Sequence, residues 1–150
     1  MLEAIENAKE ELKRADHLMY VSLKYTRTVD VLKSIVERLI NAFDFLIDSL
    51  LKAKKVKDIP KIPKLKVEAV KKCYTDVPAI ASYMDFYLLL RSVDRATFER
   101  TLEYRRHVTM TAHLDDKEIE IDIDIIEDYF HKAKEFVSIV EGLIGEKKND

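Results

Sequence analysis

The groups best suited to chemistry are concentrated in Glu103-Tyr104-Arg105-Arg106-His107-Val108-Thr109-Met110-Thr111-Ala112-His113. This stretch holds two of the four histidines, closes the densest arginine run and leads directly into the most acidic segment. An imidazole titrates near neutrality and can pass a proton either way, while a guanidinium is always charged and grips oxyanions through a rigid fork of donors. Any reaction or anion recognition in this chain is expected here.

Other polar groups are weaker candidates. Glu118, Glu120, Asp122 and Asp124 alternate with Ile119, Ile121 and Ile123, so they would share one strand face. A row of carboxylates suits a hard cation such as Mg²⁺ or Ca²⁺, but without a histidine at ligand spacing it reads as a solvated edge kept soluble by charge. His17 and Tyr20 border an apolar helical stripe and read as packing residues. Asn41, Asp44 and Asp48 fall at helical spacing and read as a solvated face. Cys73 is the single cysteine, so no intrachain disulfide forms and a reducing, cytoplasmic setting is expected. Lys52, Lys54, Lys55, Lys57, Lys61, Lys64, Lys66, Lys71 and Lys72 are opposed locally only by Asp58 and Glu68. That basic segment reads as a solvated linker or as a phosphate-binding edge. Residues 114–128 carry eight acids against Lys117. The two segments are therefore expected to attract each other within the fold, or to serve as complementary dimer surfaces.

Several classes lack their usual support. The chain has no P-loop, glycine-rich dinucleotide turn, HExxH, CxxC or serine elbow. No cofactor or metal is expected. A formal net charge of −2 gives no overall pull toward nucleic acid or acidic membranes. The N-terminal glutamates do not suit a signal peptide, and no apolar run approaches the roughly 20 residues that span a bilayer, so no membrane association is expected.

These residues must be positioned by helices. The 150 residues suit one domain, 1–150, and with only two glycines and three prolines they favour long helices with short connections. Residues 2 to about 25 and about 28 to 53 each carry one apolar stripe. The break at Tyr25-Thr26-Arg27-Thr28, where either threonine could cap, implies two antiparallel helices; one continuous helix is the alternative. A short helix is expected near Leu65–Tyr74. Another should open at Thr75-Asp76-Val77-Pro78 with a capping hydroxyl and be apolar nearly all round. Asp94 could cap a further helix running with Phe98 and Leu102 toward Arg106. Period-two alternation over 108–123 predicts a short β-hairpin. Asp124-Ile125-Ile126-Glu127 reads as the capping box of the last helix, and Gly145 as its stop. The fold class is thus predominantly all-α, an antiparallel bundle of four to six helices with a small hairpin before the last.

Arg106-His107, followed by His113 seven residues after Arg106, resembles the signature of the HEPN superfamily: Arg, four to six residues, then His, often with a polar residue after the Arg. Arg100 and His107 satisfy the same spacing. The helical layout is also similar over most of the chain, with paired N-terminal helices, a late motif and a final amphipathic helix. The resemblance implies a dimer whose motifs face each other and, in many members, metal-independent ribonuclease activity. It would make Arg106 the phosphate binder, His113 the acid/base and His107 their polar partner. Two readings follow: a dimeric HEPN-like module binding a macromolecular partner, RNA or protein, without strong catalysis; or an endoribonuclease using Arg106 and His113. Residues seven apart share a face on a helix and oppose each other on a strand, so the conformation of 106–113 decides whether those two can meet within one chain.

Overall fold

The first two amphipathic stripes fold back on each other at the turn between them. In the computed structural model, which describes residues 2–149 and the side chains of residues 2–145, α1 (Leu2–His17) passes through a π-helical turn (Leu18–Ser22) into a last short turn, α2 (Leu23–Tyr25). In the π turn the Leu23 N–H reaches back five residues to Leu18 O. The chain reverses over Thr26–Thr28 and enters α3 (Val29–Ala53), where the extended Thr28 accepts the Val31 N–H on Oγ1 at 3.4 Å. The stripes interlock: Ile5, Ala8, Leu12, Ala15 and Met19 are buried against a face of α3 that includes Leu32, Ile35, Leu39, Phe43 and Leu46. Glu11 sits at this seam almost wholly buried, bridged by Arg14 at 3.3 Å and Arg38 at 3.1 Å.

The basic segment then leads into α4 (Pro63–Cys73). It starts two residues before the expected position because Pro63 fills the first helical turn, where its missing N–H costs nothing. Lys66 pairs with Asp48 of α3 at 3.5 Å, and Lys71 with Asp85 of the next helix at 2.8 Å. Among the described residues, no ion pair joins the basic segment to the acidic 114–128 region, so the expected attraction between them is replaced by neutralisation on neighbouring helices. Helix α5 (Pro78–Arg95) opens at Pro78 with Val77 as its cap residue and no side-chain cap, so the threonine expected to cap it does not.

Phe98 to Thr101 are strand where a helix was expected. The chain leaves α5 at Arg95, and β1 (Thr97–Thr101) pairs antiparallel with β2 (Thr109–His113), running from Thr97 opposite His113 to Thr101 opposite Thr109. The four-residue spacing of Phe98 and Leu102 fits a helix, but five residues with one half-buried side chain carry too little alternation to reveal a strand. Strand β2 pairs in turn with β3 (Glu118–Ile121) in the expected hairpin, making a three-stranded sheet in the order β1-β2-β3. The last helix, α6 (Ile123–Asn149), is capped by Asp122 rather than Asp124: Asp122 Oδ1 accepts the Ile125 N–H at 2.8 Å. Ile121, fully buried, ends the strand, and only Asp122 remains to turn the chain. The helix continues through Gly145, because neither glycine adopts the positive φ that ends a helix.

Contacts between α1 and α6 pair Lys9 with Glu141 and Tyr20 with Phe130, so the two helices run antiparallel. Phe43 lies at the centre, fully buried, its ring 4.8 Å from Phe136, 5.7 Å from Phe86 and 6.0 Å from Tyr87. The fold is predominantly α-helical with a small antiparallel sheet, and among the described residues no helix is long and apolar enough to cross a membrane.

Three core tyrosines tie this packing to pH. Burial pushes the Tyr74 hydroxyl up to about 12, and it donates to Leu50 O at 2.6 Å. Burial also raises Tyr129, and burial followed by the bond to Asp44 raises Tyr87. The folded state keeps these protons at pH values where the unfolded chain, ionising near 10, has released them. Stability is therefore fully present below pH ~10 and falls as pH rises from there through the folded-state values. Urea unfolding at pH 8 and pH 11 should give a markedly lower midpoint at the higher pH, with Tyr74→Phe flattening the dependence. An unchanged midpoint would show that these hydroxyls titrate normally.

Candidate functional site

The stretch between β1 and β2 is a loop held in a strained, fixed shape. Leu102 and Tyr104 both adopt left-handed backbone conformations, with φ of 54° and 65°. Such conformations cost a side-chain-bearing residue on the order of 1–3 kcal/mol and persist only where the surroundings enforce them. Here the surroundings are the start of α3. Tyr104 N–H donates to Arg27 O at 2.6 Å, and Glu103 Oε2 accepts the Val29 N–H at 3.1 Å. A carboxylate on the free donors of a helix N-terminus is favoured by both the hydrogen bond and the helix dipole. Arg100 fixes the other side of the loop, 2.9 Å from Asp30 and 3.7 Å from Glu103.

This clamp presents large side chains to solvent. Tyr104 is 76% exposed and Leu102 48%, while Tyr25, at the neighbouring turn, is 79% exposed. Arg105, Arg106 and His107 are exposed as well. Replacing Tyr104 by glycine should remove the left-handed strain and raise stability by about 1 kcal/mol after the extra unfolded-state freedom of glycine is deducted. A loss of stability in urea unfolding would mean that the Tyr104 side chain is itself a packing element.

Arg106 and His107 line a small polar recess of about 280 Å³ together with Arg27, Asp122, Ile123 and Asp124. Among the described residues, Arg27 and Arg106 form no ion pair, and Arg27 Nε is buried with no hydrogen-bond partner. Asp122 is committed to capping α6, whose first turn forms the opposite wall. The recess thus offers two guanidiniums and an imidazole, with Asp124 also in its lining. An oxyanion could satisfy these donors.

His113 lies elsewhere. It ends β2, with Nδ1 3.1 Å from Glu118 and Nε2 3.7 Å from Glu99, the acids on the two flanking strands. It lines a different recess with Ser92, Arg95 and Asp115. Within one chain, then, Arg106 and His107 are brought together and His113 is not. The pattern Arg-x6-His gives no sign of this, because the intervening residues are part loop and part strand.

The remaining candidates resolve as structure. Asp44 accepts the Tyr87 hydroxyl hydrogen bond and stands 3.7 Å from Arg91, and Asp48 pairs with Lys66; Asn41 is exposed. Tyr20 packs edge-on against Phe130, and His17 is exposed. Among the described residues, no three carboxylate, imidazole or thiol groups converge to hold a metal ion. Arg27 is the residue that sequence reasoning misses. Its neighbours in the chain mark it only as part of a turn, and its role follows from the Tyr104–Arg27 backbone bond, which joins positions 77 apart.

Comparison of the chain with family models, curated sequences and solved structures yields no significant match.

Proposed function

We propose that this chain is a HEPN-like helical module that works as a dimer and binds a macromolecular partner, RNA in preference to protein, at the recess formed by Arg27, Arg106 and His107. One observation carries the reading: two guanidiniums with no ion pair among the described residues and an imidazole line one recess, in the loop that also exposes Tyr104. Guanidiniums hold backbone phosphates, and exposed aromatic rings stack on unpaired bases at about 1–3 kcal/mol per base.

The test combines two measurements on purified protein: light scattering for the oligomeric state, and retention of a labelled single-stranded RNA. A monomer that retains no RNA would overturn the reading. The alternative, a metal-independent endoribonuclease with Arg106 on the phosphate and His113 as acid/base, needs both groups on one phosphate. It therefore requires His113 to be supplied across the dimer. Chelator-resistant cleavage of mixed RNA, abolished in both Arg106→Ala and His113→Ala, is its signature.

A further inference from the structure

A second cluster of cations lies in another part of the molecule, where the start of α4 meets the C-terminal turns of α5. A narrow cavity of about 140 Å³ there is lined by Lys64, Arg91, Ser92 and Arg95, with Ile62 and Leu88 among its apolar walls and no carboxylate. The absence of an acid is unusual for this segment. Its neighbours Lys66 and Lys71 are neutralised by Asp48 and Asp85, whereas Lys64 and Arg95 form no ion pair among the described residues.

Arg91 is fixed from one side. Its Nη1 is 3.4 Å from Tyr87 Oη and 3.7 Å from Asp44 Oδ2, while its buried Nε has no hydrogen-bond partner among the described residues. Ser92 adds a hydroxyl to the lining. Lys64 and Arg95, which have no counterion among the described residues, stand beside an Arg91 that Asp44 neutralises from one side; an anion seated among the three relieves their mutual repulsion while gaining charge-assisted hydrogen bonds.

We propose that this cavity binds a terminal phosphate monoester, with Lys64, Arg91 and Arg95 as its ligands. The size sets the class: the cavity accommodates a phosphate and a few attached atoms but not a strand passing through. A monoester also carries close to two negative charges at neutral pH and has three free oxygens for three cations. The apolar walls at Ile62 and Leu88 would face whatever the phosphate is attached to. Two sources share this chemistry, a free phosphorylated metabolite and the 5′ end of a nucleic acid.

The test is the thermal midpoint of the full chain with inorganic phosphate, AMP, and one oligonucleotide bearing either a 5′-phosphate or a 5′-hydroxyl. Phosphate and AMP are expected to raise the midpoint, and the Lys64→Gln/Arg95→Gln double variant to need at least ~10-fold more ligand for the same rise. Both residues are exposed, so the variant should fold. Protection by phosphate and AMP points to a metabolite; protection confined to the 5′-phosphorylated strand points to a nucleic-acid end. The proposal is overturned if none of the ligands protects, if the two oligonucleotides protect equally while phosphate and AMP do nothing, if protection survives in the double variant, or if it is lost instead in Arg106→Ala.

Discussion

Replacing Arg27 and Arg106 together by alanine should weaken RNA retention about 10- to 100-fold for each arginine removed, the range expected when a charge-assisted hydrogen bond worth ~1.5–3 kcal/mol disappears. Arg106 is exposed and forms no ion pair among the described residues, so its replacement should not disturb the fold. Arg27 is partly buried, but its backbone, which receives the Tyr104 N–H, is unchanged by the substitution. Salt dependence separates a phosphate interaction from a general loss of binding. Each single-strand phosphate released should flatten the slope of log affinity against log salt by about 0.7. Filter retention over a salt series would measure both. Weaker binding with an unchanged slope would mean that the arginines act by shaping the loop. A loss as large in His113→Ala would shift the reading toward the ribonuclease.

Phe43→Ala is the substitution expected to damage stability most. The ring is fully buried and packs against aromatic side chains from α5 and α6 at once, so no single neighbour can move in to fill the space. Phenylalanine to alanine in such a site costs about 3–5 kcal/mol, made up of forfeited burial and the cavity left behind. For a domain of this size that corresponds to a fall of about 10 °C in the thermal midpoint. Phe43→Leu, which keeps most of the volume, should cost appreciably less. Urea unfolding of the two variants beside the wild type gives both values. A cost under ~1 kcal/mol for alanine would show that α3, α5 and α6 close over the gap.

What could be read from the residues alone followed periodicity. The stripes of α1 and α3 and the alternation of Met110 and Ala112 with their polar neighbours reveal the helices and the hairpin, because burial of one face imposes a repeat on the residues. The reading fails where short segments carry no repeat. Strand β1 has a single half-buried apolar side chain, and the cap of α6 lies two residues before the one its capping-box pattern suggests, because two aspartates compete for the role and only the buried Ile121 decides between them. Part of the candidate site was legible, since Arg106 and His107 stand out by type. Arg27 did not, because its neighbours in the recess are distant in the chain and the backbone bond that ties its turn to the loop, from Tyr104 N–H, is not encoded in residue identities. Nor could the pattern show that Lys64, Arg91 and Arg95 converge, since it is the packing of α4 on α5 that brings them together.

The π-helical turn at Leu18–Ser22 determines where this helix can change length. Elsewhere in a helix, deleting one residue rotates everything beyond it by about 100°, which would turn the apolar stripe of α1 away from α3. Within the π turn, a wide turn already holds one residue more than an α-helix needs. Removing the exposed Val21 would let the backbone ladder return to ordinary spacing while Met19 and Leu23 keep their inward directions and Arg27 stays beside the Tyr104 loop. The first helix therefore has one place, immediately before the turn that supplies Arg27, where a deletion can be absorbed without repacking the core.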